Sequence, residues 1–395
     1  MTSRMIDHVG AFVGDPDLIV PGAPSGPLSG TTLGVKDLFD IEGAVTGAGN
    51  PTWAATHPPA TSTAPAVRRL VDAGASVVGK TVTDELAFSL SGTNVHHGTP
   101  ANVAAPDRIP GGSSAGSASA IAAGLVDLAL GTDTAGSIRV PASYCGIAGW
   151  RSTHGSIPMD GVVPLAPSYD TVGLFARDLS LLAIAASALL GERDATAPPT
   201  SVRWLAECVG DVEPAVADAV ARRLSPWVDP ADAVDLGIGL DVALGAQRTR
   251  QTWEAWQAHG RWIDEHDPGF GPGVAARFRA GSEVDEDDVE RADVVAAEVR
   301  RRMRDLLGTS VLAVPAAAGP PPPIDAGADR TLHEQRRAST LRLTCTAGLA
   351  GAPVVVIPGA SVDGLPVGVA LIGPPGSDVG LIELAADLYA EREVR

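Results

Sequence analysis

The 395-residue chain has very little lysine: only Lys36 and Lys80 occur among its 29 basic residues, and the others are arginine. Arginine keeps its proton in proteins, whereas a buried lysine can lose its proton and act as a base. Both lysines are therefore candidates for chemistry. The same chain carries 47 acidic residues and a formal net charge of −18. This charge argues against nucleic acid and anionic membrane surfaces as partners.

Cysteine is also scarce, and the three present, Cys145, Cys208 and Cys345, are widely separated. An odd number without close pairing argues against a disulfide framework or a cysteine metal site. We find no apolar run of about 18 residues for a membrane helix, and no secretory signal. We therefore expect a cytoplasmic protein without metal or cofactor. The sequence does not decide between a monomer and a homodimer.

The remaining composition is that of a large globular chain, with 45% hydrophobic residues. The pattern predicts a strand at 31–36, a helix at 64–73 and a strand at 75–78. This order indicates a mixed or parallel sheet with helices on both faces. No repeat or low-complexity linker divides the chain. We therefore predict a single large α/β domain over residues 1–395, with a central mixed sheet flanked by helices.

Three later segments lead to specific expectations. After Ser137 the chain passes through Pro141, Tyr144, Cys145 and Gly146, and from there we expect an irregular loop to about residue 171. The charge pattern of residues 283–307, acidic at the start and basic near the end, predicts a charged helix with Ser282 as its N-cap. A helix over 247–263, weakened by a glycine, carries three tryptophans that either pack in the core or form an aromatic wall of a substrate pocket: Trp253, Trp256 and Trp262.

The densest concentration of Gly, Ser and Ala runs from Gly111 to Arg139, opening with GGSSAGS and closing with DTAGSIR. Small residues allow backbone amides and hydroxyls to approach a ligand closely. A phosphate-binding loop would need a lysine here, and the stretch has none. A dinucleotide-binding turn would need a preceding strand, which residues 107–110 do not resemble. Nucleotide binding is therefore disfavoured.

One candidate nucleophile in this stretch is Ser114, because residues 112–116 fit the pattern G-x-S-x-G of a nucleophile elbow. That turn requires a buried strand immediately upstream. Pro110 and the charged pair before it argue against such a strand. The pattern is short, and no histidine of the chain lies in a recognisable context for it.

The other candidate nucleophile is Ser137, in a tight turn after a strand predicted at 125–131. Backbone amides of small residues in this turn can form an oxyanion hole for a tetrahedral intermediate. A helix followed by a strand between Ser113 and Ser137 would bring the two serines together. A buried, neutral Lys36 can then act as base through Ser113.

These residues resemble the amidase signature hydrolases. The likeness covers residues 34–37, 111–117, 133–139, 364–368 and 371–375, and the order of several separate motifs makes it specific. The resemblance implies the amidase signature fold and amide hydrolysis by a Ser–cis-Ser–Lys set. That set maps onto Ser137, Ser113 and Lys36.

The same resemblance implies further roles. A cis peptide precedes the relay serine, Ser113. The oxyanion hole consists of backbone amides of the turn: Thr134, Ala135, Gly136 and Ser137. Lys80 is left as a structural or surface residue.

Within the family, residues 45–51, 61–65 and 140–146 resemble plant-type indole-3-acetamide hydrolases. This likeness implies a small-molecule amide as partner, such as an arylacetamide. Two alternatives remain. One is the A subunit of a glutamyl-tRNA amidotransferase, which the acidic charge disfavours. The other is a catalytically silent, amidase-like binding scaffold, although such relatives lose catalytic residues that are present here.

Overall fold

The computed structural model describes residues 5–14, 16, 19–191, 199, 201–225, 227–229, 232–324 and 330–390. Ten strands in these ranges form one sheet, ordered β2-β1-β3-β5-β4-β9-β10-β8-β6-β7. Their bounds are β1 Thr32–Lys36, β2 Ser76–Thr81, β3 Leu128–Thr132, β4 Ala148–Arg151, β5 Val172–Ala176, β6 Ser201–Leu205, β7 Ala233–Val234, β8 Ser310–Pro315, β9 Val354–Val362 and β10 Leu365–Ile372.

The sheet is mixed, with parallel pairing near both ends and antiparallel pairing in the middle. β1 pairs in parallel with β2 and β3, and β6 pairs in parallel with β7 and β8. The pairs β3–β5, β5–β4, β4–β9, β9–β10 and β10–β8 are antiparallel.

Helices flank this sheet on both faces, as expected for an α/β fold. Those in the described ranges are α1 Pro51–Thr56, α2 Pro65–Asp72, α3 Ala115–Ala122, α4 Arg139–Cys145, α5 Leu179–Leu190, α6 Ala206–Gly210, α7 Pro214–Leu224, α8 Leu240–His266, α9 Pro272–Ser282, α10 Glu286–Leu307, α11 Arg330–Ala350 and α12 Asp378–Ala390. The predicted α/β architecture with a central mixed sheet is confirmed.

The core lies in two apolar clusters, one on each face of the sheet. Leu128 and Leu130 of β3 belong to one cluster, and Ala129 between them belongs to the other. Successive side chains of a strand point to opposite faces, so this alternation assigns each cluster to a face. All five residues of β3 are buried. The strand therefore shows no alternation of polar and apolar residues.

An N-terminal segment runs along the outer side of the edge strand β2. Phe12 and Val20 form bridges with Thr81 and Val77 of that strand. The Val13 amide donates to the Lys80 carbonyl at 2.8 Å, on the side of β2 that β1 does not occupy.

The irregular loop expected from Gly146 to about residue 171 is wrong at its start. Before it, residues 139–145 form α4, which Pro141 does not disrupt because proline is tolerated in a first helical turn. Residues 148–151 then form β4, whose four residues are all buried. A strand covered on both faces, with glycine inside it, lacks the alternation that would have revealed it.

The predicted cap of the long charged helix is also wrong. Ser282 is the last residue of α9, and α10 begins after Asp285. The Asp285 side chain accepts from the Asp288 amide at 2.8 Å, and the Asp288 carboxylate accepts from the Asp285 amide at 3.4 Å. This reciprocal capping box satisfies amides that the helix itself leaves unpaired.

Candidate active site

The site lies at the ends of two neighbouring parallel strands of the sheet, β1 and β3. Lys36 is the last residue of β1 and Thr132 is the last residue of β3. The two strands pair in register, with Val35 beside Leu130. Parallel strands end at the same edge of a sheet, so the lysine and the threonine lie together. The Lys36 ammonium donates to the Thr132 hydroxyl at 2.8 Å.

The two serines complete a continuous hydrogen-bonded row with this lysine. Lys36 Nζ donates to Ser113 Oγ at 2.8 Å, and Ser113 Oγ donates to Ser137 Oγ at 3.0 Å. The peptide bond between Gly112 and Ser113 is cis, as the resemblance implied. Helix α3 and strand β3 lie between the two serines. The structure thus brings Lys36, Ser113 and Ser137 together.

Lys36 has the environment that a lysine base requires. Its side chain is fully buried, and burial lowers its pKa from 10.5 to about 7, against the opposing charges of Asp84, Asp133 and Asp170. Desolvation disfavours the charged ammonium, and none of those carboxylates lies within 4 Å of it in the described part of the chain. The neutral amine is therefore accessible near neutral pH.

Asp133 organises the turn that carries Ser137. Its carboxylate accepts from the amides of Gly136 at 2.9 Å and Ile138 at 3.0 Å. Arg139 Nη2 and Arg151 Nη1 lie 2.7 and 3.1 Å from the same carboxylate. Burial alone would raise the pKa of Asp133, but the attraction of Arg139 and Arg151 outweighs it and holds that pKa well below its usual range.

The amide of Gly136, one of the predicted oxyanion donors, is already used. It donates to Asp133, so it is not free for a substrate oxygen. The amides of Thr134, Ala135 and Ser137 have no acceptor among the described residues. The Thr344 hydroxyl donates to the Ala135 carbonyl at 2.6 Å, which fixes that peptide plane. Three of the four predicted amides therefore remain available.

Asp84 lies beside the relay and was not identified from the sequence. Its amide donates to the Ser113 carbonyl at 3.1 Å, and its Oδ2 accepts from the Gly92 amide at 3.1 Å. Its Oδ1 is buried without a partner among the described residues. Burial raises the pKa of Asp84 to about 6.

The second lysine has a different environment. Lys80 is 7% exposed, so the expectation of a surface residue is wrong and that of a structural one fits. Its ammonium lies 2.8 Å from Asp37 and donates to Thr46 Oγ1 at 3.0 Å.

The rival nucleophile Ser114 lies outside the hydrogen-bonded row of Lys36, Ser113 and Ser137. Its hydroxyl is fully buried and donates to the Thr132 carbonyl at 3.3 Å. Pro110 precedes it without a strand, and the elbow geometry is therefore absent.

A cavity of about 310 Å³ opens above Ser137. Ser137, Thr134 and Ala135 lie on its wall, together with the apolar side chains of Phe88, Leu90, Leu165, Leu244 and Leu341. Its polar lining includes Gln247, Gln251 and Glu334, and three arginines from different helices: Arg248, Arg277 and Arg337.

The tryptophans of α8 are absent from the described lining of this cavity. Trp262 instead packs edge-on against Trp53, with ring centroids 4.9 Å apart, and Trp256 packs against the core. The packing alternative is therefore the one that the structure supports.

Several site residues escaped the sequence analysis for a common reason. Thr132 and Asp84 contribute through contacts with residues distant in the chain, and Arg277 lies in α9, which had no predicted role. One usable signal existed: Thr132 and Asp133 directly follow the strand predicted at 125–131 and precede the Ser137 turn.

Metal-binding clusters and membrane-spanning helices are both absent from the described residues. No group of three or more His, Cys, Asp or Glu side chains is placed to hold a metal ion there. Likewise, none of the helices in that part of the chain is long and apolar enough to cross a membrane.

A family model described as Amidase matches residues 16–228 and 246–382. Amidase 1 of Oryza sativa subsp. japonica is 38% identical over 94% of this chain and 93% of its own length. The translocon at the outer membrane of chloroplasts 64 of Pisum sativum is 33% identical over 98% of this chain and 71% of its own. A solved structure titled "Crystal structure of amidase" superposes with a TM-score of 0.82 at 32% identity, covering 93% of this chain and 85% of that one.

Proposed function

Because the chain belongs to the Amidase family and is an amide-hydrolysing enzyme, we propose that it cleaves a small primary carboxylic amide through an acyl-enzyme on Ser137. The observation that carries this proposal is the row of Lys36, Ser113 and Ser137 at 2.8 and 3.0 Å beside the cavity. A nucleophile linked to a base within hydrogen-bonding reach is the arrangement that nucleophilic catalysis requires.

Acylation follows from the direction in which protons can move along this row. With Lys36 neutral, the Ser113 hydroxyl donates to its amine, and the Ser137 hydroxyl donates to Ser113. Ser137 Oγ attacks the amide carbonyl carbon while its proton passes to Ser113 Oγ, and the proton of Ser113 passes to Lys36. Free amides of Thr134, Ala135 and Ser137 would stabilise the oxyanion.

Collapse of the tetrahedral intermediate breaks the carbon–nitrogen bond. Lys36 returns its proton through Ser113 to the departing nitrogen, and ammonia leaves. The acyl group is then an ester of Ser137. Water attacks this ester and loses a proton along the same row, which releases the carboxylic acid and restores the Ser137 hydroxyl.

One candidate substrate is an arylacetamide such as indole-3-acetamide. Its support is the 38% identity with plant Amidase 1 and the apolar side chains that line the cavity, among them Phe88 and Leu165. A cytoplasmic location is part of the same proposal and rests on the sequence alone.

The test combines a serine-directed probe with an assay for ammonia. We expect a fluorophosphonate to label the wild-type chain and not Ser137→Ala, and ammonia release from primary amides to vanish in that variant. Ser114→Ala is the matched control, because Ser114 is the rival nucleophile and lies in the same stretch. It should keep both labelling and turnover. Turnover that persists in a pure Ser137→Ala sample would overturn the proposal.

A further inference from the structure

Two arginine side chains face the substrate cavity from different helices. Arg277 lies on α9 and Arg337 on α11, and both are partly buried. The third lining arginine, Arg248 of α8, is exposed. Among the described lining residues, the only acidic side chain is that of Glu334, which is also exposed. The lining is therefore positive in a chain whose formal net charge is −18.

Arg277 is held through its Nε, and its two terminal nitrogens have no hydrogen-bond partner among the described residues. Its Nε donates to the Phe88 carbonyl at 2.5 Å, and its guanidinium carbon lies 5.5 Å from the centre of the Phe88 ring. In the described part of the chain, neither Arg277 nor Arg337 has a carboxylate within 4 Å.

Each of the two guanidinium groups is disfavoured by burial and by a neighbouring arginine. Burial and the charge of Arg337 together lower the pKa of Arg277 to about 10. Burial and the charge of Arg248 lower the pKa of Arg337. Carboxylates beyond 4 Å partly oppose these effects: Asp84, Glu334 and Glu85 for Arg277, and Glu334 for Arg337. An anion bound at the two groups would favour their charged forms.

The other buried arginines of the site, Arg139 and Arg151, differ from Arg277 and Arg337 in having a carboxylate partner. Arg139 and Arg151 share the carboxylate of Asp133, at 2.7 and 3.1 Å. Their charges are thus neutralised by the protein itself, as buried charges require. Arg277 and Arg337 lack such a partner among the described residues, and they face a cavity of about 310 Å³.

We propose that Arg277 and Arg337 bind a carboxylate on the acyl group of the substrate, which makes the substrate a monoamide of a dicarboxylic acid. This inference rests on the proposed function: ammonia is the leaving group, so the acyl group is the part that fills the cavity. Guanidinium groups bind carboxylates through paired hydrogen bonds in a fixed plane. A neutral arylacetamide offers no such partner.

The inference is tested with two series of primary amides and an ammonia assay. The anionic series is malonamate, succinamate, glutaramate and adipamate, and the neutral series is the unsubstituted amides of matched length together with indole-3-acetamide. We expect the best anionic amide to exceed its neutral match in kcat/KM. Arg277→Gln and Arg337→Gln should each lower this ratio by roughly 10- to 100-fold, as expected for a lost charge-assisted hydrogen bond.

The matched control is Arg279→Gln, because Arg279 is an exposed arginine two positions along the same helix. It should leave both the activity and the ratio unchanged. A ratio of rates within one sample is also independent of the fraction that is folded. A wild-type preference for neutral amides, or a ratio insensitive to both glutamine variants, would overturn the inference. Turnover that still depends on Ser137 would then leave the proposed function intact.

A binding measurement separates the two proposals completely. Titration of Ser137→Ala with each of the four anionic amides in a calorimeter should detect binding of at least one, with affinity that falls when salt is added or Arg277→Gln is introduced. If neither series is hydrolysed by the wild type, the proposed function fails, and this measurement alone decides the carboxylate site. Equal affinity with and without Arg277 would refute that site.

Discussion

Asp37 follows Lys36 directly in the chain, yet its carboxylate pairs with Lys80, at 2.8 Å. Lys36 extends instead towards the hydroxyls of Ser113 and Thr132. The pairing of Asp37 with Lys80 leaves Lys36 without a close carboxylate among the described residues, so burial determines the pKa of its amine. The two lysines of the chain are therefore expected to respond in opposite ways to substitution.

The first prediction concerns the pH dependence of turnover. The neutral amine of Lys36 is the proposed base, and its pKa is about 7. We expect kcat/KM to rise with pH through about 7 and then level off, because the base becomes available as the ammonium loses its proton. Rates from pH 5.5 to 9 with an amide that does not titrate there provide the measurement. Lys36→Arg keeps a charge but cannot lose its proton, and should be nearly inactive at every pH. A flat profile in the wild type would contradict the assignment.

The second prediction is that Lys36→Met stabilises the fold at low pH. The pKa of Lys36 is about 7 in the folded chain, against 10.5 for a lysine that is surrounded by water. Between these values the unfolded chain binds more protons, so stability rises with pH across that window. Below pH 7 the buried ammonium costs roughly 5 kcal/mol. Two lost hydrogen bonds, of about 1 kcal/mol each, offset part of the gain from methionine.

Urea unfolding at pH 6, 8 and 10 measures this effect. The variant should be more stable than the wild type at pH 6, by about 3 kcal/mol. The difference should shrink as the pH rises from 7 and reverse before 10.5, the value for an unburied lysine, because only the cost of the two lost hydrogen bonds then remains. A Lys36→Met variant that is less stable than the wild type at pH 6 would show that the amine is charged and well compensated in the fold.

The third prediction concerns Lys80→Met, the matched substitution of the other lysine. It removes the partner of Asp37 and leaves a buried carboxylate uncompensated, so we expect a loss of about 3–5 kcal/mol. Fluorophosphonate labelling of Ser137 should persist at temperatures where this variant is folded. Adding Asp37→Asn to Lys80→Met removes the unpaired carboxylate charge and should recover part of the stability. Loss of labelling in folded protein would assign Lys80 a role in the chemistry.

The grouping of Lys36, Ser113 and Ser137 could be predicted, because all three lie in short motifs. Lys36 ends a strand that the apolar pattern reveals, and Ser113 and Ser137 lie in a tract of small residues. The contacts that tune these groups could not be predicted. Thr132 reaches Lys36 only because β1 and β3 pair in parallel, and Asp133 meets Arg151 only because β4 forms. Such neighbours depend on the three-dimensional arrangement of the sheet.

The predicted oxyanion hole shows the same limit within a single turn. The small residues 134–136 indicated exposed amides, and three amides of the turn are free of protein acceptors in the described residues. The amide of Gly136 is not, because Asp133 folds back over its own turn. A local pattern shows which amides are sterically accessible, whereas their partners depend on the conformation of the turn.

The fourth prediction concerns Asp133→Asn. This change removes the negative charge that Arg139 and Arg151 share and leaves two buried guanidinium groups without compensation. We expect a loss of about 3–5 kcal/mol in the free energy of unfolding, together with loss of turnover. The matched control is Asp127→Asn, whose partner Arg177 is 58% exposed, and which should change stability by less than about 1 kcal/mol. Equal effects of the two substitutions would contradict the role assigned to Asp133.

The N-terminal segment along β2 has a consequence for how molecules of this protein meet one another. A bare edge strand is a template to which a strand of another molecule can add. Here the carbonyls of Lys80 and Val77 in β2 already accept from the amides of Val13 and Val20. At the other end of the sheet, β7 has only two residues. Because one edge of the sheet is covered and the other is very short, neither edge readily pairs with a strand of another molecule. This protection disfavours fibril growth and keeps the molecules dispersed at the high concentrations of a crowded cell.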